Sequence, residues 1–425
     1  MEVTKRSLRA DYHGSLDRQT MTKDVIKRLY ELDIARALAI CAIVFVHSYY
    51  FLETDPNLFG RLYFVSTAVL SYLLGYIANL ALALFFFVSG YALYWSNKSF
   101  GTWHDAASFF KRRALRLFPL YWVAVFIYVV FGFLPLQAYA FNYNAANLAA
   151  WFSPYGSTTI AIYVLGLQGL ISTAPYVTHE MTALWFVGVI WVFYLIYPLL
   201  IAFSSKPVRF IAVSILAYVA LAATQLLVHT LDSRLFVFFG PFVGGMFASK
   251  YALSDKWTFV TKKATSGRRF ASRIVPSAIP CFCVAFVIGL FSTFGVRGLS
   301  SLLPSSFVAF VAYAITGLLC FLFSLFAIAV IRAVLTTPDG APHRLYRLVA
   351  YSTYTIYLFQ LPILVGLGFV LTYALHLTAI QTDLILIVVG VPGLFITCYL
   401  LQSLQDTVLK RIKTRRGAQP RTHMH

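Results

Sequence analysis

Arg36 and His47 stand eleven residues apart in one apolar run near the start of the chain. At ~100° per residue, eleven steps return a helix to nearly the same face, with ~16 Å between the two side chains along the axis. A guanidinium at one end of a membrane helix and an imidazole well inside it are costly to bury, and intramembrane ionisable groups mark functional sites by default. The chemistry open to them is proton handling by imidazole near neutral pH and anion stabilisation by arginine. A snorkelling arginine and a histidine satisfied by a neighbouring helix form the alternative. Downstream, Arg113 and Arg116 are three apart and share a helix face. Arginine suits a bidentate grip on phosphate, and a positively charged anchor at a membrane surface is the competing role.

Other polar positions interrupt apolar surroundings. Ser89-Gly90 follows Phe85-Phe86-Phe87-Val88, a small pair suited to close helix packing. Trp185 opens an apolar stretch that runs to Pro198, and aromatic residues at helix ends usually form interface belts. His179-Glu180 just before it fits a hydrated loop or an acceptor contact. Tyr351-Ser352-Thr353-Tyr354-Thr355 with Tyr357 and Gln360 forms a polar stripe that must be hydrogen-bonded in lipid, either as interhelical glue or as cavity lining.

The elements that position these groups follow from composition. Of 425 residues, 60% are hydrophobic and only 12% charged, about half the charge of a soluble domain. A spanning helix needs ~20 mostly apolar residues. Ten stretches qualify: 34–52, 77–96, 117–137, 182–203, 208–229, 234–250, 274–294, 307–331, 348–373 and 381–404. The expected fold is therefore all-α, a polytopic membrane bundle of about ten transmembrane helices. The apolar stretch 158–171 is too short to span and reads as re-entrant or interfacial, and 62–76 is an ambiguous approach to the second helix.

Charge tests this topology. With both termini cytoplasmic, 31 of the 34 Lys and Arg residues fall on the cytoplasmic side, leaving Arg61, Arg234 and Arg297 outside. That asymmetry follows the positive-inside rule. The net charge of +19 then reports topology and a match to anionic lipid. Nucleic-acid binding is not indicated, because the basic residues are scattered over six cytoplasmic pieces. Met1 to Tyr30 is polar and basic without an apolar core, so it does not read as a signal peptide. The domain reading is a basic N-terminal tail 1–33, a membrane domain 34–404 and a basic C-terminal tail 405–425. Cys41, Cys281, Cys283, Cys320 and Cys398 form no CxxC pair, and no metal site or nucleotide-binding glycine loop is present in the sequence.

Taken in order, these marks resemble the acyltransferase-3 family of integral-membrane acyltransferases. The resemblance rests on Leu32-Asp33 with Arg36 and His47, the Phe-Phe-Val-Ser-Gly stretch, Arg113 and Arg116 with Pro119 and Tyr121, the Trp185 to Pro198 helix, and the Tyr-x-Ile-Tyr-Leu run at Tyr357. It implies O-acyl transfer, most simply of acetyl from acetyl-CoA, to a hydroxyl of a carbohydrate or lipid-linked glycan, by a multi-pass protein of the plasma or inner membrane. Acyl-CoA is then a co-substrate rather than a bound cofactor. His47 becomes general base or acyl carrier. Arg36 orients the donor or stabilises developing charge, and Arg113 and Arg116 hold the anionic CoA moiety. Ser89, Trp185, Tyr357 and Gln360 line the cavity. The chain departs from the family pattern at Ile190, where Glu is frequent, and at Gln360, where His is frequent. A glycan or lipid exporter or flippase is the alternative from another class; a non-catalytic scaffold must still explain buried Arg36 and His47.

Overall fold

The computed structural model describes residues 30–48, 67–97, 99–133, 154–171, 184–251, 253, 271–291, 305–334 and 341–417. Among them all regular structure is helical: α1 (30–48), α2 (Thr67–Ser96), α3 (Trp103–Phe133), α4 (Pro154–Val164), α5 (Trp185–Ala202), α6 (Pro207–Val228), α7 (Arg234–Tyr251), α8 (Ala271–Leu290), α9 (Ser305–Val334), α10 (Ala341–Phe369), α11 (Ala379–Ile385) and α12 (Val391–Gly417). One π-helical turn, Val370–Ala374, follows α10, and another, Leu386–Gly390, joins α11 to α12. The described part of each of the ten apolar stretches is helical. Among the described residues, six segments are long and apolar enough to cross a membrane: Leu73–Ser96, Trp185–Ala202, Pro207–Val228, Phe307–Arg332, Leu345–Ala374 and Ile380–Ile412.

Several helices run beyond their apolar stretches. α3 starts at Trp103 rather than after a loop ending at 116, and α12 continues to Gly417 through the cationic run read as a tail. The start of α3 is fixed locally. Asp105 Oδ2 accepts from the Thr102 hydroxyl (3.0 Å), the Thr102 amide (2.9 Å) and the Gly101 amide (3.1 Å), while Thr102 Oγ1 accepts from the Asp105 amide at 3.3 Å. This reciprocal cap satisfies donors that a helix start leaves open. The hydrogen bonds from Thr102 hold the Asp105 carboxyl below the usual carboxylate range. α4 has 11 residues, or ~16 Å, about half the hydrocarbon thickness. The turn after it is pinned where Gln168 Nε2 donates to Tyr121 Oη (3.0 Å) and to the Leu184 carbonyl (2.9 Å).

Burial follows the logic of a bilayer. α6 buries only Phe210 and Ser214 and exposes Val208, Leu216 and Leu227, apolar side chains that water would penalise and lipid would not. Inside, two devices hold the bundle. The first is small-residue packing, which lets backbones approach. A Cβ on Gly90 would stand 2.0 Å from the Phe242 carbonyl oxygen, and one on Gly245 2.0 Å from that of Phe87, so α2 and α7 touch backbone to backbone at two points. Phe86 stacks on Phe238 beside this crossing at 4.9 Å. The second is the tyrosine hydroxyl. Tyr354 donates to the Leu117 carbonyl (2.9 Å), Tyr197 to Leu93 (3.0 Å) and Tyr218 to Phe310 (2.8 Å), each joining two helices. A carbonyl already used within its helix retains a second lone pair for this. Such bonds contribute ~0.6 kcal/mol on average within membranes.

A buried ion pair closes the first helix onto a late one. Arg332 near the end of α9 donates to Glu31 from Nε (2.8 and 2.7 Å) and from an Nη atom (2.5 Å). Both side chains are nearly inaccessible, at 11% and 4% exposed. This two-pronged geometry is what makes a buried pair tolerable, since removing either partner strands the other's charge.

Candidate active site

α1 sets Asp33 one turn before Arg36, and their side chains pair at 3.1 Å. Arg36 then faces two adjoining cavities. The larger, about 1010 Å³, lies between α1, α3, α10 and α12; the smaller, about 370 Å³, lies between α1, α2, α3, α5, α10 and α12. Arg36, Arg116, Ala350, Tyr351 and Gln402 belong to both walls and so mark the junction.

The junction is held by a buried polar chain. Thr355 Oγ1 donates to Gln402 Oε1 (2.7 Å), Gln402 Nε2 to Gln405 Oε1 (3.4 Å), and Gln405 Nε2 to the Arg116 carbonyl (3.1 Å). This chain ties α10 to α12 and α12 to the backbone that carries Arg116. Tyr351 is fixed alongside by donating to Asp406 Oδ2 at 2.6 Å.

The smaller cavity has a mixed wall of apolar side chains, hydroxyls and three arginines. Phe85, Ser89, Leu93 and Ser96 line it along one face of α2, a rise of ~16 Å. Ser89 donates to the Phe85 carbonyl at 2.9 Å. Ser89 and Gly90 therefore divide the roles weighed for the pair: Gly90 packs against α7 and Ser89 faces the cavity. Arg113 lines the same wall, its guanidinium 5.5 Å from the Phe109 ring and 5.7 Å from the Tyr194 ring. Ile190 contributes an apolar surface where the family often carries an acid.

Of the residues singled out from sequence, Arg36, Arg113, Arg116 and Ser89 converge on the smaller cavity. Tyr351, Thr353 and Tyr354 of the polar stripe line it too, while Tyr357, Gln360, Trp185 and His47 stand apart from both walls. Tyr357 packs behind Phe186, with ring centroids 4.9 Å apart, and Phe186 itself lines the cavity. Gln360 is fully buried; its Nε2 donates to the Tyr357 carbonyl at 3.4 Å, and its Oε1 meets no hydrogen-bond partner among the described residues. Trp185 stacks on Phe238 and lies under the guanidinium of Arg234 at 4.3 Å, and Asp232 takes that guanidinium in three contacts. His47 is half-buried, three turns along α1 from Arg36. His179 and Glu180 lie outside the described residues.

Sequence reasoning passed over Gln402, Asp406 and Arg347 and read Lys410 only as part of a basic tail; all four are on the wall of the larger cavity. Gln402, Gln405 and Asp406 recur at helical spacing at the end of an apolar run, which is the signature of a polar face turned inward.

All-helical among its described residues, with apolar helices exposed and a cavity lined by cations, the chain is a multi-pass membrane protein. The chain belongs to the acyltransferase-3 family: the family's acyltransferase domain matches residues 29–402, nearly its whole length. It is thus a membrane acyltransferase. No curated protein and no solved structure gave a match.

Proposed function

We propose that this protein moves an acyl group, most simply acetyl, from acyl-CoA on the cytoplasmic side to a hydroxyl of a carbohydrate or lipid-linked glycan. The proposal includes ten membrane crossings with both termini in the cytoplasm, in the plasma or inner membrane. The observation that carries it is the pair of cavities meeting at Arg36 and Arg116. The larger, with five basic side chains on its wall, suits the phosphates of the donor. The smaller, which follows α2 past Arg113 to Phe85, suits the arm that bears the acyl group.

The spacing along α1 favours one of the roles open to Arg36. His47 lies ~16 Å further along the same helix, beyond the reach of an arginine side chain. Arg36 therefore orients the donor and does not stabilise charge at the reacting carbonyl. The smaller cavity runs ~16 Å along α2, a length comparable with the rise that separates Arg36 from His47, and although His47 stands off its wall we place the donor's thioester at that depth. There His47 takes the proton of the acceptor hydroxyl, the oxygen attacks the thioester carbonyl, and the thiol of CoA leaves with a proton. A neutral imidazole is the natural base near physiological pH.

The test is His47→Ala, assayed by mass spectrometry of cell glycans and lipids and by acyl transfer from purified protein. A general base is worth roughly 10²–10⁴ in rate. A loss of that size in a protein that still inserts and accumulates is expected. Full activity would remove His47 from the mechanism, and an unchanged glycan and lipid mass profile in cells lacking the protein would remove the acyl-transfer reading.

A further inference from the structure

The smaller cavity ends on aromatic rings. Arg113 lies against the Tyr194 ring on α5, and about two turns along α5, ~12 Å away, Phe186 faces the same space. Phe85, the lining residue of α2 furthest from Ser96, meets Phe186 edge to face with ring centroids 5.1 Å apart. Ile190 lines the wall one turn before Phe186. Ser89, the next lining residue on α2, turns its hydroxyl proton to the Phe85 carbonyl. Arginines therefore stand at one end of this cavity and a floor of carbon at the other.

That floor has no room to retreat. Phe186 packs on Phe86 at 4.8 Å and on Tyr357 at 4.9 Å, and both of these are buried. Phe86 in turn stacks on Phe238 at 4.9 Å. A close-packed interior of this kind resists atoms pushed into it. The depth of the cavity is thus set by two rings, ~16 Å along α2 from Ser96. At about 370 Å³ the space is near the lower end of the range for small-molecule sites.

We propose that Phe85 and Phe186 are specificity-determining residues that cap the transferred acyl group at about two carbons. This rests on the donor-binding reading above. The arm of CoA from diphosphate to sulfur is a chain of about twelve bonds, as long as four extended residues, or roughly 13–14 Å. With the diphosphate at the neck, the sulfur stops short of the rings by about the reach of an acetyl group. Butyryl is two methylenes longer, roughly 2–3 Å, and drives its chain end into Phe85 or Phe186.

The experiment titrates free CoA, acetyl-CoA and butyryl-CoA into the full-length protein in nanodiscs, without acceptor, and reads affinity by calorimetry. One methylene too many in a fitted pocket is worth roughly 10–200-fold, so acetyl-CoA should bind at least ~10-fold tighter than butyryl-CoA. Phe85→Ala and Phe186→Ala each take a ring from the floor and should bring that ratio to one or below. A change that merely loosens the bundle weakens both thioesters and keeps the ratio. Where an alanine variant fails to accumulate, Phe85→Leu and Phe186→Leu lower the floor within an apolar core and should move the ratio the same way. Equal wild-type affinity for acetyl-CoA and butyryl-CoA overturns the length limit and leaves the donor reading standing. So does a wild-type ratio that survives in the variants of both residues. Failure of free CoA and of both thioesters to bind overturns the length limit and the donor reading together.

Discussion

Replacing Gly90 by alanine adds one methyl group at the point where α2 meets α7. That methyl would lie 2.0 Å from the Phe242 carbonyl oxygen and 2.9 Å from its carbon, whereas ordinary contact begins at 3.4 Å. The obstructing atoms are backbone, so no side-chain rotation relieves the clash, and the helices must part by roughly 1.4 Å at the crossing. Overpacking of this kind costs about 1–3 kcal/mol. Opposing it, alanine favours a helix over glycine by about 1 kcal/mol, a gain that shrinks where the unfolded reference in the membrane is already helical. The clash wins, and Gly90→Ala is expected to be destabilised by about 1–3 kcal/mol. Gly393→Ala is the control. It sits in a helix with nothing within 4 Å of its would-be Cβ, so only the favourable effect remains and stability should hold or rise by up to about 1 kcal/mol. Thermal or SDS-driven unfolding of purified protein, followed by circular dichroism, measures both. Gly90 also neighbours Ser89, so Gly90→Ala should lower acyl transfer at temperatures where the protein remains folded. A Gly90→Ala protein as stable as Gly393→Ala would refute the backbone-contact account of the α2–α7 crossing.

Arg113→Lys and Arg116→Lys keep the charge but lose the planar fork. The expected result is a 10–100-fold rise in the KM for acyl-CoA, equivalent to about 1.5–3 kcal/mol, with little change in acceptor KM; unchanged donor kinetics would return both to membrane anchors. For topology, Trp103 is 90% exposed at the start of α3, and His376 is exposed in the α10–α11 turn. His376→Cys should react with an impermeant thiol reagent from outside the cell and Trp103→Cys only after the membrane is opened, the reverse pattern inverting the orientation. For the α3 cap, the lowered carboxyl of Asp105 stabilises the helix start fully above its unfolded value of ~3.9 and loses that contribution as pH falls through the folded value. An end-blocked peptide of residues 99–116, in which Asp105 is the one carboxylate, should lose helix content below pH ~4 by circular dichroism, and the Asp105→Asn peptide should show no such loss.

The membrane helices were legible in the sequence because twenty apolar residues in a row are a local signal that needs no tertiary partner. Their ends were not. Trp103 to Arg116 and residues 405–417 are helical without an apolar stripe, because backbone hydrogen bonding carries the helix past the hydrocarbon into a cationic flank. Arg36, Arg113 and Arg116 stood out as arginines at apolar boundaries, and they share a cavity. Arg347 and Lys410 looked the same as other basic residues counted for topology. Which of 31 like charges face one another is set by packing between α3, α10 and α12, and no spacing along the chain encodes it. Glu31 was missed for the same reason, since its partner is far away in sequence.

That distance has a consequence in time. Glu31 and Arg332 are separated by 301 residues. At ~5–20 residues per second of synthesis, Arg332 emerges roughly 15–60 s after Glu31. The first helix to be made is thus among the last to be completed. Until α9 arrives, α1 carries an acid whose counter-ion does not yet exist, and Arg36, five residues further on, has no settled wall to join. The two cavities therefore close late in assembly, and a chain stopped before α9 holds the helix that bears Arg36 and His47 without the contact that seats it.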